Sequence, residues 1–138
     1  MTQRQIFLVQ DSFNQVLPIA DSAAGLFYNK LFILDPSLRQ MFKGDIEDQG
    51  KKLMQTLGMA VGSLTKLEAL VPALENLGRN HRDYGVKDEH YQTVAEALLW
   101  TLQIGLGDAF TNEVREAWLE IYAVVAATMK NAANNIAA

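Results

Sequence analysis

The chain of 138 residues contains no cysteine, which excludes disulfides, thiolate metal centres and cysteine nucleophiles and leaves the redox compartment open. Histidine is almost as scarce. Only His81 and His90 occur, and one pair of imidazoles without thiolates makes no zinc site of the usual spacing. There is no nucleophile–base pair and no glycine-rich phosphate loop, so ordinary hydrolytic chemistry has no candidate. Positive charge is short as well: 12 basic against 16 acidic side chains give a net charge of -4. That balance removes the electrostatic case for nucleic acid or an anionic membrane as partner. No uninterrupted apolar run approaches the roughly 18 residues needed to span a bilayer, and the opening MTQRQIFLVQDSFNQ lacks a basic region followed by an apolar one. These absences together predict a cytoplasmic protein.

What is present is 49% hydrophobic and 20% charged residues, the balance of a globular domain, in a chain of the size that builds one core. A single domain spanning residues 1–138 is expected. Apolar side chains recur at helical spacing almost throughout, and strand alternation is absent. Thr2 can cap a first helix with the face Ile6, Val9, Phe13 and Val16, closed by Pro18. Ala20, Ala24, Phe27, Tyr28, Leu31 and Phe32 make the second stripe, and Asp35-Pro36 both stops it and starts a short third helix to Phe42. A polar turn at Lys43, Gly44 and Asp45 leads into a long fourth helix marked by Ile46, Leu53, Leu57, Ala60 and Leu64. Pro72 is placed in the first turn of the fifth helix, which faces inward through Leu74, Leu77, Gly78 and His81 and ends at YGVKD. Asp88 is read as the cap of the sixth helix, with Tyr91, Val94, Ala95, Leu98 and Leu102 inward. Thr111 opens the last, carrying Val114, Trp118, Ile121, Tyr122, Val125 and Met129 before an Ala/Asn tail expected to fray. The fold class is all-α.

Polar residues on these inner faces carry the functional information, because a buried polar group needs a partner or a ligand. His81 continues the stripe of Leu74 and Leu77. Gln49 sits three after Ile46 and four before Leu53, and Tyr28 sits four after Ala24 and three before Leu31. Each has an ordinary structural reading: a core histidine on a carbonyl, a tyrosine with its hydroxyl on the backbone, a glutamine reaching solvent. His90, beside Asp88 and Glu89 in a first turn and one position off the stripe, is expected to be exposed and without a role. A single imidazole can nonetheless hold a haem iron from one side when an apolar pocket accepts the porphyrin.

Several segments, in order, resemble the globin family over essentially the whole chain. DPSLRQMF is similar to the short third globin helix ending in the phenylalanine that wedges against the haem, here Phe42. LGRNHRDYGV resembles the proximal stretch of neuroglobin and of bacterial single-domain haemoglobins. DEHYQTVAEALL, LGDAFT and AWLEIYAVV resemble their last two helices and the joint between them. The resemblance implies a globin fold of about seven to eight helices around a haem b (iron protoporphyrin IX) pocket, with His81 as the iron ligand. It makes Gln49 the distal residue, Leu53 its neighbour one turn on, and Tyr28 the distal group of the second helix, the flavohaemoglobin-type combination. It further implies haem contacts from Phe42, Leu77, Val86, Tyr91 and Val94, with Lys52 toward a propionate and a solvated Lys52 as the alternative.

Departures from the family pattern matter too. With Gln49 where vertebrate globins carry a distal histidine, bis-histidine closure through that position is excluded. Flavohaemoglobins join the proximal histidine to a tyrosine and a late glutamate. Tyr91 matches the tyrosine, but the glutamate position aligns with Ala133. Flavohaemoglobins also continue into a reductase, and this chain stops at Ala138, so catalysis would call on a separate reductase. Two hydrogen-bond donors around a bound gas predict high oxygen affinity, at about 1.5 to 3 kcal/mol for each bond to a charged partner. Three functions follow: reversible binding of dioxygen and other diatomic gases such as nitric oxide and carbon monoxide; nitric oxide dioxygenation with an external reductase; and a haemless helical sensor or scaffold.

Overall fold

The computed structural model describes residues 2–42, 45–83 and 87–135, without the side chains at 67, 82, 83, 88 and 133–135. Among the described residues there are six α-helices, four short 3-10 segments and no strand. Helix α1 (Gln3–Val16) is opened by Thr2, whose hydroxyl accepts from the Gln5 N–H while the Gln5 side chain accepts from the Thr2 N–H, a reciprocal cap. A 3-10 turn (Leu17–Ile19) holding Pro18 leads into α2 (Ala20–Leu34). The predicted third helix is a 3-10 segment, Pro36–Met41. It starts on Asp35, whose carboxylate accepts from the Ser37 N–H. Asp45 caps α3 (Ile46–Gly62) in the same way through the Glu47 N–H.

Helix α4 (Leu67–Asp83) begins five residues before the expected proline, so Pro72 lies inside it. The proline removes the bond to the Glu68 carbonyl, and burial of Leu70 and Leu74 on either side holds the turn in place. Helix α5 (Asp88–Leu106) is preceded by Lys87, not Asp88, as N-cap. It closes at Gly107, the one residue with positive φ among those described, where the chain needs the left-handed freedom of glycine. Helix α6 (Asn112–Asn135) runs past Met129 and takes in much of the tail expected to fray, because Ala132 is still buried.

The main core joins α1, α2, α3, α5 and α6 around Val9, Phe13, Phe27, Leu31, Leu102 and Trp118. Trp118 donates its indole N–H to the Ser12 hydroxyl at 2.8 Å, and Ser12 is in turn bonded to the carbonyls of Leu8 and Val9. A second cluster, Ala60, Leu70, Leu74, Tyr91, Ala126 and Met129, packs α4 and α6 together. Two glycines allow helices to approach closely. A Cβ on Gly50 would lie 2.9 Å from the Ala24 Cβ, and one on Gly78 would lie 2.2 Å from the Met129 carbonyl oxygen. The second contact fixes α4 against α6 within one turn of His81. No helix among the described residues is long and apolar enough to cross a membrane.

Candidate functional site

Between the two core clusters lies a cleft of about 960 Å³, its open mouth included. One wall is α3, through Leu53, Thr56 and Leu57. The facing wall is α4, through Leu74, Leu77 and His81, and α5 and α6 close the back with Val94, Leu98, Tyr122 and Val125. Among the described residues the lining holds no charged side chain; its polar members are Thr56, His81, Tyr91 and Tyr122.

His81 Nδ1 stands 2.7 Å from the Leu77 carbonyl oxygen. A carbonyl can only accept, so Nδ1 carries the hydrogen, and in the neutral ring Nε2 has the lone pair. The helix produces this arrangement by its own geometry, because the carbonyl four residues back lies directly beneath the ring. An imidazole oriented in this way, in an apolar cleft, is a preformed donor for one metal coordination position. Among the described residues no group of three or more His, Cys, Asp or Glu side chains could hold a metal ion by itself, so the donor set suits a metal that brings its other ligands with it.

The residues singled out in the sequence divide into two groups. Leu53, Leu77, His81, Tyr91 and Val94 line the cleft. Tyr28, Phe42, Gln49 and Lys52 do not. Tyr28 is buried in an aromatic group, stacked on Phe32 at 6.0 Å and edge-on to Phe42 at 5.3 Å and to Phe27 at 5.1 Å. Its hydroxyl points to the main-chain carbonyl of Gln49 over a long 3.4 Å. Burial pushes the phenol up to about 12. Phe42 belongs to the same group, 5.5 Å from Phe32. Lys52 is exposed. Val86 and the side chain of Ala133 lie outside the described residues.

His90 is a correction. It is only 7% exposed, because its Nδ1 accepts from the Lys87 N–H at 2.9 Å and so closes the first turn of α5. Its Nε2 lies 4.0 Å from the Asp35 carboxylate. A side chain reaching backwards into its own cap is turned away from solvent even in a polar first turn.

Sequence reasoning missed Thr56. It sits three after Leu53 and four before Ala60, which is the signal that would have placed it on the inner face. Also missed was the bond from the Tyr122 hydroxyl to the Tyr91 carbonyl, which ties α6 to the start of α5. Burial, and then the neighbouring Tyr91, hold the Tyr122 phenol far above its ordinary value. Tyr91 is further covered by Lys130, whose Nζ stands 5.3 Å from the ring centroid.

Comparison with known proteins agrees with this architecture. The Globin family profile matches residues 25–129. Neuroglobin of Tetraodon nigroviridis is 37% identical over 118 residues, covering 75% of this chain and 74% of that protein. The flavohemoprotein of Bacillus subtilis is 32% identical over 111 residues, covering 77% of this chain but only 27% of that longer protein. Among solved structures, a hexacoordinated heme protein from an anhydrobiotic tardigrade superposes with a TM-score of 0.87 at 19% identity, covering 98% of this chain and 96% of that one. A candidate nitric oxide dioxygenase of Rhodothermus marinus, engineered as a carbene transferase, also gives 0.87, at 25% identity over 99% of this chain and 96% of that one. An all-helical chain folded around an apolar cleft, with a histidine presented into it and a family match across most of its length, belongs to the globin family.

Proposed function

We propose that the chain binds haem b in the cleft through His81 and uses it to bind dioxygen and related diatomic gases reversibly. The observation that carries this reading is the orientation of His81: Nδ1 is committed to the Leu77 carbonyl at 2.7 Å, which leaves Nε2 as a nitrogen donor on a lining that is uncharged among the described residues. The residues fit the group, since a porphyrin would bring most of the metal's ligands with it and would ask of the protein an apolar slot and one nitrogen donor, His81. Leu53, Leu57, Leu77 and Val94 line the slot and would exclude water from it. When bound, haem would supply an iron able to bind a small gas reversibly.

High oxygen affinity would require Tyr28, which stands beside the cleft and not in its lining, to turn its hydroxyl toward the bound gas. Its 3.4 Å bond to the Gln49 carbonyl is long enough to be given up at little cost, so the hydroxyl is available to a polar ligand that reaches it. Gln49, whose backbone it touches, would act beside it. Nitric oxide dioxygenation with a separate reductase is the second reading, favoured by the likeness to the Rhodothermus marinus protein and to flavohemoproteins.

The test is haem uptake followed by gas kinetics. Protein purified with haem available is expected to show a Soret band, and His81→Ala should lose the five-coordinate ferrous spectrum while keeping its helical content. A wild-type protein without a Soret band would leave only the haemless reading. Nitric oxide consumption that turns over only when a reductase is supplied would move the assignment from gas binding to dioxygenation.

A further inference from the structure

Among the described residues, Lys130 is a cation set against the lining of the cleft with no carboxylate paired to it. Its ammonium lies 5.3 Å from the centroid of the Tyr91 ring, and Tyr91 lines the same cleft as His81. Its neighbours at helical spacing on α6 are Ala126, Ala127, Ala133 and Asn134, all uncharged. Among the described residues no carboxylate pairs with it. The backbone holds this place rigidly. Gly78 lacks the Cβ that would strike the Met129 carbonyl at 2.2 Å, so the turn of α6 carrying Lys130 is pressed against the turn of α4 that ends at His81. Tyr91 is fixed from the same helix, because the Tyr122 hydroxyl donates to its carbonyl. Arg79, two residues before His81, donates to the Asn76 side chain at 3.0 Å.

We infer that Lys130 acts as an electrostatic positioning residue that biases the cofactor iron behind His81 toward its reduced state. The inference rests on the haem reading above. Reduction adds one electron to the iron, breaks no bond and moves no proton, so the net charge of the site falls by one. A fixed cation is repelled more by the oxidised than by the reduced site, and this raises the midpoint potential. The ring of Tyr91 holds the ammonium by its π face and so restrains a side chain that would otherwise swing into solvent.

The experiment is a spectroelectrochemical titration of the haem-loaded wild type and of Lys130→Arg, Lys130→Met and Lys130→Glu, with thermal unfolding measured alongside. At the wild-type midpoint, Lys130→Met should lower the reduced-to-oxidised ratio by roughly three- to tenfold, the order expected for one unit charge at a partly buried site. Lys130→Glu should lower it further, and Lys130→Arg should restore the wild-type ratio. Equal midpoints in all four proteins would overturn the inference, as would a shift in Lys130→Arg as large as in Lys130→Glu, which would point to packing in place of charge. Failure of the wild type to take up haem would defeat the parent reading, whereas haem uptake with equal midpoints would defeat the role of Lys130 alone.

Discussion

Two histidines in one chain have opposite fates here, and a single hydrogen bond at each decides which. His81 gives its Nδ1 hydrogen to a carbonyl one turn back, which turns the free nitrogen into the cleft. His90 accepts a backbone N–H with its Nδ1, which draws the ring down over its own helix start. His90→Ala should therefore cost about 1 kcal/mol in a denaturant titration, the size of a helix cap, while haem uptake is unchanged. Tyr28 is the other residue whose role turns on one bond. If its hydroxyl leaves the Gln49 carbonyl for a bound gas, Tyr28→Phe should release oxygen roughly tenfold or more faster. Carbon monoxide, which carries far less negative charge when bound, should respond much less. Stopped-flow release of the two gases checks this, and equal acceleration of both would mean that the ring governs access.

At the scale of elements, the cleft exists because helices approach closely in some places and are held apart in others. Gly78 allows one close approach, with the backbone of Met129 where its Cβ would stand. Gly78→Ala should lower stability by at least about 1–3 kcal/mol, the usual penalty of overpacking, and should separate α4 from α6. Gly25 lies in the interior of α2 with nothing within 4 Å of a Cβ. Gly25→Ala should raise stability by about 0.5–1 kcal/mol through helix propensity. Chemical denaturation of the two variants gives opposite signs if these helix contacts are as described. The six-residue 3-10 segment after Asp35 has the same logic. Its tighter winding brings Phe42 back over Tyr28 and Phe32, which gathers the aromatic group beside the cleft.

For the molecule as a whole, two phenols with raised pKa values couple folding to alkaline pH. Burial raises Tyr28 to about 12 and holds Tyr122 higher still, against about 10 for a free phenol. The folded state therefore keeps both protons in a range where the unfolded chain has lost them. Stability from this source is fully present below pH 10 and declines as pH rises from about 10 toward 12. Denaturant midpoints measured from pH 8 to pH 12 should fall across that window, and Tyr28→Phe should flatten the decline. A midpoint constant to pH 12 would show both phenols to be open to solvent.

The all-α class, the helix order and the place of His81 followed from the sequence, because a period of 3.6 residues writes a buried face directly into the chain and an imidazole in that phase stands out. Helix starts were less legible: Pro72 looked like a first turn, yet the helix begins at Leu67, since the burial of Leu70 and Leu74 outweighs one lost hydrogen bond. Periodicity tells which face of a helix turns inward but not what waits there. Tyr28 and Leu53 are both in phase, yet only Leu53 reaches the cleft, because the aromatic rings of Phe27, Phe32 and Phe42 close around Tyr28. Lys130 lies far from Tyr91 in the chain and meets its ring on the helix that Gly78 lets settle onto α4. The sequence by itself determined the helices and the histidine; the packing of one helix on another, which depends on volumes contributed from distant positions, decided what surrounds it.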